Sequence, residues 1–205
     1  MNGNSKVEVS VFQKAKKGNY LCGDSYFYTE TENEFVCALA DGLGSGEFAK
    51  ESSQIVINII RDNIGATVEE LVKICNARLM GKRGVVLGIL RMDYRTKISA
   101  FSSIGNIGIM SITTDRKKKR NIPNAGYLAG YHRPFKVMTQ KLEPGMTFVI
   151  FSDGVLDKEL SQHFFMNKDV RCITKAYEQT SDKIRMDDTT LIAVRYIAEK
   201  QLLAD

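Results

Sequence analysis

Four aspartates stand at the ends of apolar runs, and this placement constrains the chain more than any other feature. Ala38-Leu39-Ala40 runs straight into Asp41-Gly42, and Phe148-Val149-Ile150-Phe151-Ser152 runs into Asp153-Gly154. Asp187-Asp188 immediately precedes Thr189-Thr190-Leu191-Ile192-Ala193-Val194, and Asp24 lies between Tyr20-Leu21-Cys22-Gly23 and a segment beginning at Ser25. These runs read as core strands, so a fold that aligns their ends gathers several carboxylates. Like charges within a few ångströms raise one another's pKa and repel. A hard divalent cation such as Mg²⁺ or Mn²⁺, which takes oxygen ligands and little else, removes that difficulty. Glycine after Asp41 and Asp153 lets a backbone carbonyl turn toward an ion. An isolated Asp-Gly is an ordinary turn. Four acids in this order, each against an apolar run, form a much more specific pattern.

The rest of the chain can house such a fold. Its 205 residues, 43% of them apolar and 26% charged, suffice for one domain with a sizeable core. No run reaches the ~18–20 unbroken apolar residues of a membrane span. Met1–Lys6 is polar and lacks the apolar core of a secretory signal, so a cytoplasmic location is expected. Cys22, Cys37, Cys75 and Cys172 form no CxxC pair and are expected to be buried, reduced thiols. His132 and His163 leave little room for a histidine-rich zinc site, and both read as polar residues without a catalytic role. The net charge of +5 owes much to Arg116-Lys117-Lys118-Lys119-Arg120. That run reads as a solvated connection between strands, or alternatively as a docking patch for an acidic or phosphorylated surface. No aromatic-interleaved basic stretch accompanies it, which disfavours nucleic acid.

Hydrophobic periodicity orders the elements. Strands are expected at 7–11, Ser25–Glu30, Glu34–Ala40, 84–92, Ile98–Ile104, 107–113, 135–141, Thr147–Phe151 and Thr189–Tyr196. Helical spacing runs from Phe48 through Asn63. Thr67-Val68-Glu69-Glu70 matches a capping box opening a second helix with a stripe of Val68, Leu71, Val72, Cys75 and Leu79. A third helix fits 168–180. Helices do not alternate regularly with strands, so the expected class is α+β, with mainly antiparallel sheets and helices outside them. No repeat or linker interrupts the chain, and residues 1–205 are expected to form a single domain.

Ala40-Asp41-Gly42-Leu43-Gly44-Ser45-Gly46 followed by a helix resembles the Asp-Gly-x-Gly-x-Gly signature of the metal-dependent protein phosphatases, the type-2C enzymes and their SpoIIE-like bacterial branch. Cys22-Gly23-Asp24-Ser25, Ser103-Ile104-Gly105-Asn106, Leu142-Glu143-Pro144-Gly145-Met146 through Ser152-Asp153-Gly154, and Asp187-Asp188-Thr189-Thr190 resemble further motifs in the same order. The resemblance spans roughly residues 7–197. It implies an αββα sandwich of two antiparallel sheets flanked by helices, with two Mn²⁺ or Mg²⁺ ions at one end. By motif position, Asp41 would bridge the ions, the Gly42 carbonyl would ligate one, and Asp153 and Asp187 would complete the other. Asp24 would touch the shell directly or through water, while Asp188 falls where relatives carry Asn or Asp. A water activated at Asp41, Asp153 and Asp187 would hydrolyse phosphoserine or phosphothreonine without a covalent intermediate. No Cys is followed by Arg six positions on, as a cysteine-nucleophile phosphatase requires.

Lys82-Arg83-Gly84, Gly126-Tyr127-Leu128 and the short chain resemble the branch that resets the stressosome. That implies a monomer acting on phosphorylated RsbS-like and RsbR-like proteins, giving negative feedback on the general stress sigma factor. Leu43 replaces a histidine of eukaryotic relatives, Gly23 the first of two paired acids, and Asn106 an aspartate linked to a third metal. No Arg precedes Asp24 at the family's phosphate-binding position, and Lys14, Lys16 and Lys17 read as a solvated loop. Two alternatives stay open. One is a catalytically silent phosphoprotein-binding module. The other is an ATP-binding anti-sigma kinase, whose nucleotide motif ADGLGSG superficially resembles but which needs a Glu- and Asn-bearing helix upstream.

Overall fold

The strand Glu34–Gly42 (β3) sets the architecture because nearly all of it is buried on both faces. Phe35, Cys37 and Leu39 enter one apolar cluster and Val36, Ala38 and Ala40 another, as the two-residue period of a strand requires. A strand of this kind needs a covering layer on each side. The computed structural model, which describes residues 5–181 and 184–198, provides a second sheet against one face and two helices against the other.

The first sheet has the order β2 (Asp24–Glu30), β3, β4 (Val85–Asp93), β5 (Ile98–Ile104), β8 (Met138–Lys141). The second has the order β1 (Val7–Lys14), β10 (Thr189–Tyr196), β9 (Thr147–Phe151), β6 (Gly108–Ile112), β7 (Lys118–Arg120), and neighbouring strands in both sheets are antiparallel. Between the sheets lie Phe35, Leu39, Leu90, Phe148, Ile150 and Ile192. Helices α1 (Glu47–Asp62) and α2 (Val68–Arg78) cover the first sheet with Val56, Ile57, Ile60 and Leu71. On the far side, α3 (Asp157–Leu160), a 3₁₀ turn at His163–Met166 and α4 (Val170–Thr180) cover the second with Leu160, Phe165, Ile173 and Tyr177. This is the expected αββα sandwich. The elements preceding Asp41 are strands, so the upstream helix that the kinase alternative required is absent among the described residues. Nor is any described helix long and apolar enough to cross a membrane.

Local signals located most elements. The Thr67 side chain accepts from the Glu70 N–H while the Glu70 carboxylate accepts from the Thr67 N–H, so α2 opens on the expected capping box. Two expectations are corrected. The strand expected from residue 135 begins only at Met138, because Asn124 intercepts the backbone: its Oδ1 accepts from Lys136 N–H at 2.8 Å and its Nδ2 donates to the Ser103 carbonyl. The basic run is not wholly a connection. Lys118–Arg120 forms the edge strand β7, and lysines on an edge discourage pairing with another chain. Its charges are largely engaged, with Lys118 Nζ donating to the carbonyls of Leu160 and Gln162 and Arg120 pairing with Asp157. The four thiols are free, as expected of reduced cysteines. Only Cys37 and Cys75 are buried, whereas Cys172 is exposed on α4.

The glycines after Asp41 and Asp153 have a steric reason beyond freeing a carbonyl. A Cβ on Gly42 would stand 2.0 Å from the Ala49 carbonyl oxygen of α1, and one on Gly154 would stand 2.3 Å from the Asp188 carbonyl oxygen. Each acid is therefore followed by a close backbone crossing. Gly42→Ala is expected to push α1 off the end of β3 and destabilise the protein by about 1–3 kcal/mol, the usual cost of overpacking. Chemical denaturation of the variant against the parent measures this.

Candidate metal centre

The register of the sheets brings the acids to one end of the sandwich. In the first sheet Asp24 opens β2 and Asp41 lies near the end of β3, and the two are direct cross-strand partners. In the second sheet Phe151 ends β9 opposite Leu191, and the Ser152 N–H donates to the Thr190 carbonyl at 3.0 Å. Asp153 and Asp187-Asp188 lie immediately beyond that bond. Asp24 and Asp188 are buried, Asp41 is half-buried, and Asp153 and Asp187 are exposed, so the acids form a cleft with a floor and a mouth.

Hydrogen bonds between the sheets fix the floor. Asp24 Oδ2 accepts from Ser152 Oγ at 2.8 Å and Thr190 Oγ1 at 2.6 Å, tying β2 to β9 and β10. Its other oxygen, Oδ1, is buried and accepts no hydrogen bond. Lys50 Nζ on α1 donates to the Asp24 carbonyl at 2.7 Å. Asp188 is used differently: Oδ1 accepts from the Lys16 N–H at 2.9 Å and Oδ2 from the Gly23 N–H at 2.8 Å. Its carboxylate pins the loop before Asp24. A Cβ at position 23 would sit 2.9 Å from Asp188 Oδ2, which accounts for glycine there. Asn106 Nδ2 donates to Asp153 Oδ2 at 2.6 Å, so this departure from the family pattern orients an acid.

A buried cation supports the mouth from behind. Arg185, 4% exposed, donates to Glu159 Oε1 at 3.2 Å, to the Tyr177 hydroxyl at 2.9 Å and to the Gly154 carbonyl at 3.4 Å. The Lys17 N–H donates to the Arg185 carbonyl at 2.9 Å. Arg185 thus joins α3, α4, the Asp153-Gly154 turn and the loop before Asp24. Removing one partner of such a pair leaves an uncompensated buried charge.

The acids disturb one another. Burial, then the charges of Asp24, Asp153, Asp187 and Asp188, pushes the Asp41 carboxyl up from 3.8 to about 8. Burial raises Asp24 to about 6, opposed by the hydrogen bonds from Thr190 and Ser152. Asp153 is raised by desolvation and then by Asp187. The Cys22 thiol, raised to about 12 by burial and then Asp24, stays protonated and is no nucleophile.

Three observations test whether a divalent cation fits. The donor set is all oxygen, which suits Mg²⁺ or Mn²⁺. Asp24 Oδ1 is an orphaned buried acceptor, and the raised acids gain from added positive charge. Among the described residues, however, no group of three or more His, Cys, Asp or Glu side chains is drawn together as a ready ion cage. The two results are compatible for an ion that keeps several waters and takes only one or two carboxylates directly. The residues fit a hydrated hard cation rather than a fully enclosed one.

Of the residues singled out from sequence, Asp24, Asp41, Asp153, Asp187 and Asp188 share the cleft. Gly42 contributes the close crossing to α1, and His132 and His163 are exposed. Sequence reasoning did not assign the anchoring role of Ser152 and Thr190, though both stood in quoted motifs, and it missed Lys50 and Arg185 altogether. Nothing local distinguishes Arg185 from a solvated arginine.

The family model for Stage II sporulation protein E (SpoIIE) matches residues 31–197. The chain is 30% identical to phosphoserine phosphatase RsbX of Bacillus subtilis (strain 168), over 92% of this chain and 94% of that one. A crystal structure of RsbX in complex with magnesium superposes with a TM-score of 0.84 at 30% identity, covering 95% of this chain and 96% of that one. The PP2C phosphatase domain of the cell fate determinant SpoIIE from Bacillus subtilis, solved with a fragment of its regulatory domain, gives a TM-score of 0.78 at 20% identity, covering 97% of this chain and 64% of that one. A match of this extent to the family model, joined to a relative aligned over almost the whole length, places the chain in the SpoIIE family of PP2C-type protein serine/threonine phosphatases.

Proposed function

We propose that the acidic cleft hydrolyses phosphoserine or phosphothreonine on RsbS-like and RsbR-like stressosome proteins, with two Mn²⁺ or Mg²⁺ ions as cofactor. The enzyme would act in the cytoplasm as a monomer and give negative feedback on the general stress sigma factor. The substrate assignment draws on similarity to RsbX. The observation that most supports the chemistry is the gathering of acids from both sheets, where burial and then the neighbouring charges push Asp41 up to about 8. A site that destabilises its own charge to this degree is built for a cation.

Asp41, the Gly42 carbonyl, Asp153 and Asp187 would hold the ions, with the unpartnered Oδ1 of Asp24 at the buried side of the shell. When bound, such ions supply positive charge to the phosphoryl oxygens and acidify the attacking water. The chain's own groups preorganise the cleft. Ser152 and Thr190 fix the Asp24 carboxylate, and Asn106 turns Asp153. Both Asp188 oxygens accept from backbone N–H groups, so Asp188 positions the loop before Asp24. Beside the cleft, α1 begins at Gly46 without a side-chain cap, which leaves its first-turn N–H groups open toward an anion.

Asp41→Asn and Asp153→Asn should each reduce Mn²⁺-dependent phosphate release from a phosphorylated RsbS-like protein by at least about 10²-fold, equivalent to about 2.7 kcal/mol. EDTA should abolish release by the parent, and equal activity in EDTA would sink the metal mechanism. A second prediction follows from the raised carboxyls. Folding favours their protonated form, so their contribution to stability is present at low pH and is lost as pH rises from 3.8 towards about 8. The metal-free protein should therefore lose thermal stability over that interval, Asp41→Asn should flatten the loss, and added Mn²⁺ should reverse it. Melting curves across the pH series with and without Mn²⁺ check all three.

A further inference from the structure

At the end of the second sheet away from the acids, a cavity of about 250 Å³ opens between the sheet and the 3₁₀ turn. β9 and β10 connect the two ends: Thr147 and Arg195 are cross-strand partners at the cavity, and Ser152 meets Thr190 at the cleft. Between Thr189 and Arg195 the strand covers roughly 20 Å. Three cations from separate segments line the cavity: Arg116 in the turn before β7, Lys168 before α4, and Arg195. Thr113, Thr114 and Thr147 add hydroxyls, and no carboxylate belongs to the wall.

These charges are uncommitted. Arg195 is the one charged residue of β10, half-buried on the face that carries Leu191 and Ala193 toward the helices. Its guanidinium donates to Thr147 Oγ1 at 3.5 Å, a long bond. Gly145, at a φ of 90°, makes room for it: a Cβ there would stand 3.4 Å from an Arg195 nitrogen and 2.9 Å from Thr114 Cγ2. The acids adjoining these segments are engaged elsewhere. Asp115 pairs with Lys117 at 2.7 Å and accepts from Thr113, Glu143 pairs with Lys141 at 3.1 Å, and Asp169 caps α4. Glu8 stands opposite Arg195 in the β1–β10 register without forming an ion pair with it. Among the described residues, no carboxylate pairs with Arg116, Lys168 or Arg195. A half-buried guanidinium without a carboxylate is costly to keep, and an anion supplied from outside removes that cost.

We propose that this cavity binds a small phosphorylated molecule, its phosphoryl group held by Arg116, Lys168 and Arg195 and its carbon skeleton by Ile112 and Phe165. A phosphoryl dianion accepts several charge-assisted hydrogen bonds at once, and converging guanidinium, ammonium and hydroxyl donors supply them. A lone carboxylate would leave much of that positive charge unanswered. The volume falls below the ~300–1,000 Å³ of drug-sized ligand sites, which suits a short phosphate ester better than a nucleotide. The site lies apart from the acidic cleft, which calls for cations where this cavity calls for an anion. It stands independently of the phosphatase reading.

The test is calorimetry on the full-length protein in EDTA, with glycerol 3-phosphate, inorganic phosphate and free glycerol as probes. Without a metal ion the acidic cleft repels anions, so a phosphoryl compound reports on the distal cavity. Glycerol 3-phosphate should bind once per chain with a Kd below about 1 mM, inorganic phosphate no more tightly, and glycerol not at all. Arg116→Gln/Lys168→Gln removes two exposed cations. It should weaken the Kd at least about tenfold while leaving the melting temperature of the unliganded protein unchanged. Arg195→Gln should abolish the rise in melting temperature that glycerol 3-phosphate gives the parent. Asp41→Asn should leave the Kd within about twofold. The absence of saturable binding, a Kd that the double variant leaves unchanged, or one that Asp41→Asn weakens overturns the proposal. So does a parallel loss of p-nitrophenyl phosphate hydrolysis by the double variant in Mn²⁺, which would assign these residues to the cleft. A phosphoserine peptide that binds through the same residues at least about tenfold more tightly than glycerol 3-phosphate overturns it too, since the cavity would then anchor a phosphoprotein. A parent inactive on p-nitrophenyl phosphate sinks the phosphatase reading, and the calorimetry in EDTA still decides the distal site.

Discussion

Everything at the working end of this protein depends on holding mutually repelling carboxylates in one cleft. The fold meets that demand by assigning the acids different jobs. Asp24 is sunk between the sheets and held by two hydroxyls, and Asp188 is consumed by two backbone N–H groups. Asp41, Asp153 and Asp187 remain toward the mouth. Desolvation and repulsion together raise Asp41 further than Asp24, although Asp24 is the more buried of the two. Two causes separate them: Asp24 receives two hydroxyl donors that favour its ionised form, whereas Asp41 is raised by the charges of Asp24, Asp153, Asp187 and Asp188.

The layers around the cleft follow from the same requirement. Small outward residues on β3, Ala38 and Ala40, let α1 approach closely, and Gly42 lets its backbone cross the end of the strand. Gly154 does the same against Asp188 in the other sheet. Each Asp-Gly pair therefore combines an acid at a strand end with a crossing that no side chain permits. Arg185 closes the back of the arrangement with a buried ion pair, a costly device whose value is positional.

Much of this was legible in the sequence because it rested on local signals. Alternating apolar residues located the strands at Ile98–Ile104, Thr147–Phe151 and Thr189–Tyr196 to the residue, and Thr67 with Glu70 located the start of α2. The acids were legible through their position at the ends of those strands. What stayed hidden depended on tertiary partners. The backbone at Lys136 looked like strand but pairs with the side chain of Asn124. Arg185 sits in a polar stretch that gives no hint of burial, and its role emerges only when Glu159 and Tyr177 meet it across two helices. Lys118 looked solvated within a basic run, yet it reaches two carbonyls at the end of α3. Periodicity reads faces, and it does not read which polar groups will find each other.

The two hydroxyl bonds that cross from Ser152 and Thr190 to Asp24 carry one more implication. Asp24 and Asp41 belong to one sheet, and Asp153 and Asp187 to the other, so neither half of the sandwich owns the acidic cleft. The cleft exists only where the two sheets are docked. An ion held between acids of the two sheets would act as a cross-brace, and by mass action its concentration would set how tightly the halves of the molecule stay clasped.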